Sequence, residues 1–331
     1  MERTPSAPRT PHSAPRVLVV VVNYNTGELA RRCLESVARD LADVEWEGVV
    51  VDNASADGSV ARLQAIPHVR VLVNERNVGF GAAVNQAARP ASVDRGPWSV
   101  DRGPWSGVEG AEGAELLWVL NPDCDVQPGA FAALVETLDA HPECAVAAPR
   151  LLNADGSVQA SARGEPNAWT GLFGRHSLLT KYFPSSTAAR RNLPARDLVD
   201  SGVDSAAVDW VMAAAMLVRR KPFDEVGGFD ERYFLYWEDA DLCRRLRDRG
   251  WTTRYVPRAV VTHPGGASAA TDSALAIREF HRSAYRYYAT HLVTSPWHPA
   301  RWLAKVALGL RRWWRVHAAA EKANRSSGDQ E

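Results

Sequence analysis

Residues 17–22 read Val-Leu-Val-Val-Val-Val, an apolar run without polar interruption or alternation. Successive strand residues point to opposite faces, so a half-exposed strand alternates apolar with polar side chains, and an unbroken run belongs to a strand covered on both faces. Such coverage is the mark of a parallel sheet with helices above and below it. The signature returns at Val49-Val50-Val51 and Leu116–Leu120, and Val69–Val73 reads as a further strand between them. Helical spacing lies between the runs, as in Leu29, Cys33, Leu34 and Val37. Strand alternating with helix implies right-handed crossovers and an α/β fold, a Rossmann-like, mostly parallel sheet flanked by helices.

Three of these runs end in polar clusters: Asn23-Tyr24-Asn25, Asp52-Asn53-Ala54-Ser55-Ala56-Asp57-Gly58 and Asn121-Pro122-Asp123-Cys124-Asp125. Ligands of open α/β sheets sit outside the carboxyl ends of the strands, so the clusters build one crevice. Asp123 and Asp125 repel one another unless a proton or cation lies between them. A hard divalent ion that keeps waters and shares substrate phosphates resolves the conflict; a solvated turn capping a helix at Pro128 is the plainer reading. Asp52 can accept the N3–H of a uracil or thymine ring with Asn23 and Tyr24 flanking the base, and equally Asp52-Asn53 can cap a helix.

A second acidic cluster, Glu238-Asp239-x-Asp241, opens a helix, where the helix dipole alone favours acids. Phe234-Leu235-Tyr236-Trp237 precede it, so a carboxylate is delivered beside apolar rings, surroundings that raise its pKa toward that of a general base. His263 follows a strand and stands where an imidazole can complete a metal shell, although a lone histidine is more often structural.

Other classes are disfavoured. The formal net charge is zero, which argues against a nucleic-acid partner. The four cysteines contain no Cys-x-x-Cys, so neither a zinc site nor a disulfide framework is expected and a reducing, cytoplasmic setting fits. No stretch of about 18 apolar residues exists to span a membrane. Gly79-Phe80-Gly81-Ala-Ala-Val84 lacks the third glycine of a dinucleotide fingerprint and follows the third strand rather than the first. A nucleotidyltransferase would need a basic, glycine-rich loop after the first strand, which Asn23-Tyr-Asn-Thr-Gly27 does not supply.

Residues 1–15, rich in Pro, Ser, Thr and Arg, read as a disordered leader. Residues 16–270 form the main domain. Within it, 91–114 is an inserted loop carrying Val-Asp-Arg-Gly-Pro-Trp-Ser twice in tandem, and 162–205 lacks periodicity, as a lid or acceptor loop would. Asn153-Ala-Asp-Gly156 signals a hairpin, Val208–Val218 a strand, and Thr253–Val256 and Ala259–Thr262 two short strands. Residues 271–320 read as two helices, and 321–331 as a disordered tail. Trp302, Val306, Leu310, Trp313 and Trp314 share one face of the last helix, with Arg301, Lys305, Arg312 and Arg315 on the other. That pattern fits a helix lying on an anionic membrane surface, or one packed on the main domain by its apolar side.

Taken in order, Val22-Asn-Tyr-Asn25, Val51–Gly58, Asn77-Val-Gly-Phe-Gly81 with Asn85, Asn121–Asp125, Gly227-Gly-Phe-Asp-Glu231 with Trp237-Glu-Asp239, and the late His263 resemble the motifs of family-2 inverting glycosyltransferases. The resemblance covers about residues 16–290 and implies a single nucleotide-diphospho-sugar transferase domain of type A, followed by C-terminal helices. Gly228-Phe-Asp-Glu-Arg-Tyr-Phe234, Glu238-Asp-Ala-Asp-Leu-Cys-Arg-Arg-Leu246 and Ser161-Ala-Arg163 are similar to rhamnosyltransferases that extend lipid-diphosphate-linked cell-wall or O-antigen acceptors.

The resemblance implies roles for single residues. Asn23, Tyr24, Asp52, Asn53, Asn77, Gly79, Asn85 and Asp123 would bind the donor. Asp123, Asp125 and His263 would hold Mg²⁺ or Mn²⁺ on its diphosphate. Asp239 would deprotonate the acceptor hydroxyl, with Arg163, Trp237 and Glu238 on the acceptor side. The donor would be dTDP-rhamnose, or with the same mechanism a galactofuranose, glucose or N-acetylglucosamine nucleotide; a non-catalytic sugar-nucleotide or glycan binder is the reading of another class. A polyprenyl-linked acceptor would place the chain at the inner face of the cell membrane, on the C-terminal helix.

Overall fold

The computed structural model describes residues 16–89, 113–166, 195–265 and 273–328. The expected leader, all but the last two residues of the expected insertion, and 167–194 of the expected lid lie outside the described residues. The first half alternates as the apolar runs predict: β1 (Val17–Asn23), α1 (Gly27–Asp40), β2 (Trp46–Asp52), α2 (Ser59–Gln64), β3 (Val69–Val73), α3 (Phe80–Ala88) and β4 (Leu116–Leu120). β1 lies between β2 and β4 and is parallel to both, with Asn23 opposite Asp52 and Val21 opposite Leu120. That register brings three polar strand ends to one edge of the sheet.

The burial of β1 shows why its sequence does not alternate. Val17, Val19 and Val21 pack into a core with residues of α1, Trp118 and Phe131, whereas Leu18, Val20 and Val22 pack into a second core with α3 residues and Phe229. All seven residues of the strand are buried. Full burial of each such side chain contributes about 1.5–3 kcal/mol, on both faces of the sheet.

The second half adds β5 (Asp125–Val126), α4 (Ala130–Ala140), β6 (Cys144–Leu152), β7 (Ala162–Arg163), α5 (Ala195–Asp200), β8 (Ala206–Val208), β9 (Trp210–Val211), β10 (Ala215–Arg219), α6 (Arg220–Glu225), α7 (Glu238–Asp248) and β11 (Thr252–Thr262). Among the described residues the main sheet runs β3-β2-β1-β4-β10-β6-β11-β5, with β8 beside β11. The strand expected over Val208–Val218 is broken into separate pieces: β8 pairs with β11, β9 with β7, and β10 enters the sheet centre. β10 is antiparallel to β4 and sets Ala215 against Leu120, so its start abuts the acidic end of β4. The two strands expected at 253–262 are one strand, with a register shift between Val256 and Val260 around Pro257, whose nitrogen cannot donate to the ladder. The predicted hairpin turn is present, as Leu152 bridges Val158 and Asn153 N–H donates to Ser157 O at 2.8 Å.

The chain ends in α8 (Ser273–Tyr287), a π-helical turn over Tyr288–Leu292, and α9 (Pro299–Gly328). α9 packs on α8 and continues past residue 320, where the sequence places a disordered tail.

Candidate active site

At the ends of β1 and β2, Asn23 Nδ2 donates to Asp52 Oδ2 at 2.7 Å and to Ser55 Oγ at 3.1 Å. Asp52 Oδ1 accepts the Ser55 N–H at 2.9 Å, and Asn23 Oδ1 accepts from Thr26 Oγ1 at 2.9 Å. Asn23 and Asp52 are both fully buried. Asp52 therefore braces two strand-end turns with both oxygens, and a base contact would have to use a remaining lone pair. Tyr24 beside them is half-buried. Asn25 and Ala54 hold φ of +54° and +65°, a left-handed backbone that surrounding structure must enforce on residues with a Cβ.

The loop after β3 is knotted to the later acids. Asn53 Oδ1 accepts from Asn74 Nδ2 at 2.9 Å, and Asn77 Oδ1 accepts the Gly79 N–H at 2.9 Å. Gly79 has φ +91°, and a Cβ there would lie 2.4 Å from Phe234 O, so the two segments touch backbone to backbone. Asn85, expected at the donor, is engaged by other groups of the protein. It is buried on α3, donating to Phe229 O at 2.8 Å and Glu231 Oε1 at 3.0 Å and accepting the Phe229 N–H at 2.9 Å. These bonds occupy both ends of its amide and tie α3 to the Gly-Phe-Asp-Glu loop.

Beyond β4, Asp123 and His263 meet, with Oδ1 3.3 Å from Nε2 and side chains 6% and 7% exposed. Gly265 N–H donates to Asp123 Oδ2 at 3.1 Å. Burial raises the pKa of Asp123, but the hydrogen bond and charge of His263 and the backbone donors outweigh it and hold the carboxyl below its ordinary value. Gln159, which carries no motif signal, orients the ring. Its Nε2 donates to Asn153 Oδ1 at 2.8 Å and to His263 O, which leaves Oε1 to accept from His263 Nδ1 at 3.2 Å. Nε2 then stands between Asn121 Nδ2 at 3.1 Å and the Asp123 carboxylate at 3.3 Å. A carboxylate and a ring nitrogen so close suit a shared proton or a shared cation.

Asp125 stands apart from that pair. It is exposed, 3.6 Å from Arg39 and accepting from Gln127 Nε2 at 3.0 Å. Among the described residues, no three His, Cys, Asp or Glu side chains converge as a metal cage. Of the expected three-residue metal set, Asp123 and His263 meet, and Asp125 lies apart from them beside Arg39 on α1. A carboxylate and an oriented imidazole fit an ion that completes its shell with waters and substrate phosphates.

On the other side, Tyr236 and Trp237 adopt φ of +67° and +70° and lead into α7. Asp239 Oδ1 accepts the Ala240 N–H at 2.8 Å and Oδ2 the Ala213 N–H at 3.2 Å. Ala214 O in turn accepts from Asn121 N–H at 2.7 Å and Cys124 Sγ at 3.0 Å. Ala213-Ala214 therefore link Asp239 to the acidic end of β4. Burial raises the pKa of Asp239, opposed by these hydrogen bonds and by the charge of Arg163. That is the tuning a general base needs.

The neighbouring acids differ. Glu238 is buried and packs toward Gly81, its Oε2 has no hydrogen-bond partner among the described residues, and burial plus the adjoining Asp239 push its pKa well above the ordinary value. Asp241, 1% exposed, accepts from Arg245 Nε at 2.7 Å and pairs with His291 Nε2 at 2.7 Å. Burial raises its pKa, but His291 and Arg245 outweigh burial and hold it below the ordinary value. Trp237 stacks with Trp210 at 6.4 Å and meets Tyr287 at 5.3 Å, while Arg163 lies over the Trp210 ring at 5.4 Å. Arg163, Trp237 and Glu238 thus do gather around Asp239, together with Trp210, which its sequence position does not signal.

The chain is similar to known proteins over nearly its whole length. It is 34% identical to N-acetylglucosaminyl-diphospho-decaprenol L-rhamnosyltransferase of Mycobacterium tuberculosis over 93% of this chain and 95% of that protein. It is 39% identical to rhamnosyltransferase WbbL of Escherichia coli, over 27% of this chain and 33% of that one. Among solved structures, GalNAc-T7 with UDP, GalNAc and Mn²⁺ matches at a TM-score of 0.53 and 18% identity, over 84% of this chain and 51% of that one. A mannosyltransferase from Pyrobaculum calidifontis in complex with GDP-Man and Mn²⁺ matches at 0.50 and 16%, over 96% and 76%. At such identities these structures show the fold, a mixed, mostly parallel sheet under one glycosyltransferase domain. The model of glycosyl transferase family 2 matches residues 18–192, and with the near full-length relative it establishes that the chain belongs to that family.

Proposed function

We propose that the protein is an inverting, metal-dependent glycosyltransferase that moves L-rhamnose from dTDP-rhamnose to a hydroxyl of a polyprenyl-diphosphate-linked glycan. One observation carries this reading: the raised-pKa carboxyl of Asp239 is joined through Ala213-Ala214 to the strand end that bears the Asp123–His263 pair. A base and a diphosphate-binding pair joined through one short segment suit a single displacement. Asp239 takes the proton of the acceptor hydroxyl; the hydroxyl oxygen bonds to the anomeric carbon; the bond to the leaving diphosphate breaks and its electron pair stays on dTDP. No covalent intermediate is needed, because one base suffices.

Asp123 and His263 would hold Mg²⁺ or Mn²⁺, which supplies charge neutralisation on the leaving diphosphate. The Mn²⁺ named with the two structural neighbours supports a divalent ion. The donor sugar and the lipid-linked acceptor rest on the name of the M. tuberculosis relative. We place the enzyme at the cytoplasmic face of the cell membrane, where an acceptor of that kind is anchored.

Incubating the full chain with dTDP-rhamnose and a short-chain N-acetylglucosaminyl-diphosphoryl-lipid should yield the rhamnosylated product. Asp239→Asn should lower kcat by about 10²–10⁴ while nucleotide binding persists. Turnover near wild type in that variant would move the base elsewhere.

A further inference from the structure

We infer that α9 is a docking surface for an anionic bilayer, lying in the plane of the leaflet with its apolar face inserted. This deepens the membrane placement proposed above by naming the surface, and it does not depend on the donor or on the chemistry of transfer.

The sequence leaves open whether the apolar side of this helix packs inward or faces out. In the structure it faces out. Trp302, Leu303, Val306, Leu310, Trp313 and Trp314 recur at spacings of three, four and seven, so they share one face, and each is 58–71% exposed. The half-buried Ala304, Leu308 and Val316 lie on the opposite side, toward which α9 packs on α8. The cations border the apolar face: Lys305 and Arg311 follow its two edges by helical spacing, both are exposed, and Lys305 Nζ lies over the Trp302 ring at 5.6 Å. Trp297, just ahead of α9, is 86% exposed. An exposed contiguous apolar face of this kind marks an interaction site.

Charge and residue type select the occupant. No acidic residue lies between Glu279 and Glu321, whereas Arg282, Arg286, Arg301, Lys305, Arg311, Arg312 and Arg315 do. A second copy of this helix would bring like charges together without a compensating acid, but an anionic leaflet complements them. Indole rings sit well at the boundary of acyl chains and headgroups, and lysine and arginine stems reach from there to phosphate. No helix of the described residues is long and apolar enough to cross a membrane, so the fit is to a surface helix and not to a span.

The orientation also bears on catalysis. α8, on which α9 packs, lies against the approach to Asp239: its Phe280, 43% exposed, meets the rings of Tyr236 and Trp237 at 5.9 and 6.0 Å. Docking α9 therefore holds the segment leading to Asp239 at a fixed distance from the lipid surface.

The test uses the full chain, without nucleotide or sugar, and vesicles of phosphatidylcholine with or without an equal share of phosphatidylglycerol. Wild type should sediment with the anionic vesicles and shift its tryptophan emission to the blue. Trp302→Ser with Trp313→Ser should lower the partition coefficient roughly a hundredfold, and Lys305→Gln with Arg312→Gln about thirtyfold on anionic vesicles with little change on neutral ones. Thermal unfolding of both variants should match wild type, and turnover of a short-chain acceptor should be unchanged. Unchanged partitioning of both variants would overturn the proposal, as would a dimer that the Trp variant converts to monomer without loss of vesicle binding. Because binding is read without substrate, failure of rhamnosyl transfer leaves this result standing, and the reverse holds as well.

Discussion

Gly79→Ala tests how the site is assembled, since this glycine is where the donor-side loop meets the segment that delivers Asp239. Its φ of +91° and ψ of 168° fall in a region that residues with a Cβ occupy at a cost of about 1–3 kcal/mol. An added Cβ would lie 2.4 Å from Phe234 O and 3.0 Å from Phe234 Cα. Those contacts are backbone, so no rotamer change relieves them. The segments must separate, and the 3.0 Å hydrogen bond from Phe80 N–H to Phe234 O is lost with them, about 0.5–1.5 kcal/mol more. The sum, about 2–4 kcal/mol, should appear as a Tm lowered by several degrees in a thermal melt of the full chain. Moving Phe234 also moves Trp237 and Asp239, so transfer at saturating substrates should fall more than the fraction unfolded explains. A melt within a degree of wild type together with full activity would refute the backbone-contact reasoning.

Asp123→Asn should weaken metal-dependent nucleotide binding strongly, whereas Asp125→Asn should weaken it only slightly, since the pair with His263 involves Asp123 alone; titration of Mn²⁺ with the nucleotide present checks the contrast. Asp241→Asn leaves Arg245 buried without its anion and should cost about 3–5 kcal/mol at neutral pH. The folded pKa of Asp241 is depressed, so its contribution is present above the ordinary aspartate value near 4 and is lost as pH falls through the folded value. The stability difference between wild type and Asp241→Asn should therefore shrink below about pH 4 in denaturant titrations, and a gap that stays constant with pH would assign the cost to packing instead.

Much of this protein can be read along the chain. Val17–Val22 lacks alternation because it feeds a core on each face, so β1 and its covering helices follow from six residues. The polar clusters after β1, β2 and β4 converge because parallel neighbours end on the same edge, and that edge is a local consequence of the crossover rule. What the chain order could not assign was the division of labour among similar groups. Asp123 and Asp125 are one residue apart, yet only Asp123 meets His263, because β5 pairs with β11 and leaves Asp125 facing Arg39. Glu238, Asp239 and Asp241 share one helical turn, yet among the described residues one leaves an oxygen without a hydrogen bond, one is poised between two backbone N–H groups, and one is locked to Arg245 and His291. Asn85 reads as a pocket residue and acts as a clamp, because the loop at Phe229 and Glu231 folds onto α3 from far along the chain.

Residue type and spacing, then, determined the sheet, the crevice and the family. The tertiary structure alone decided which carboxylate sits between two backbone N–H groups, which faces an imidazole, and which side of α9 meets solvent. The reason is physical: a strand's burial is written in its own side chains, whereas the charge state of a carboxyl depends on solvent access and on partners set beside it by distant segments.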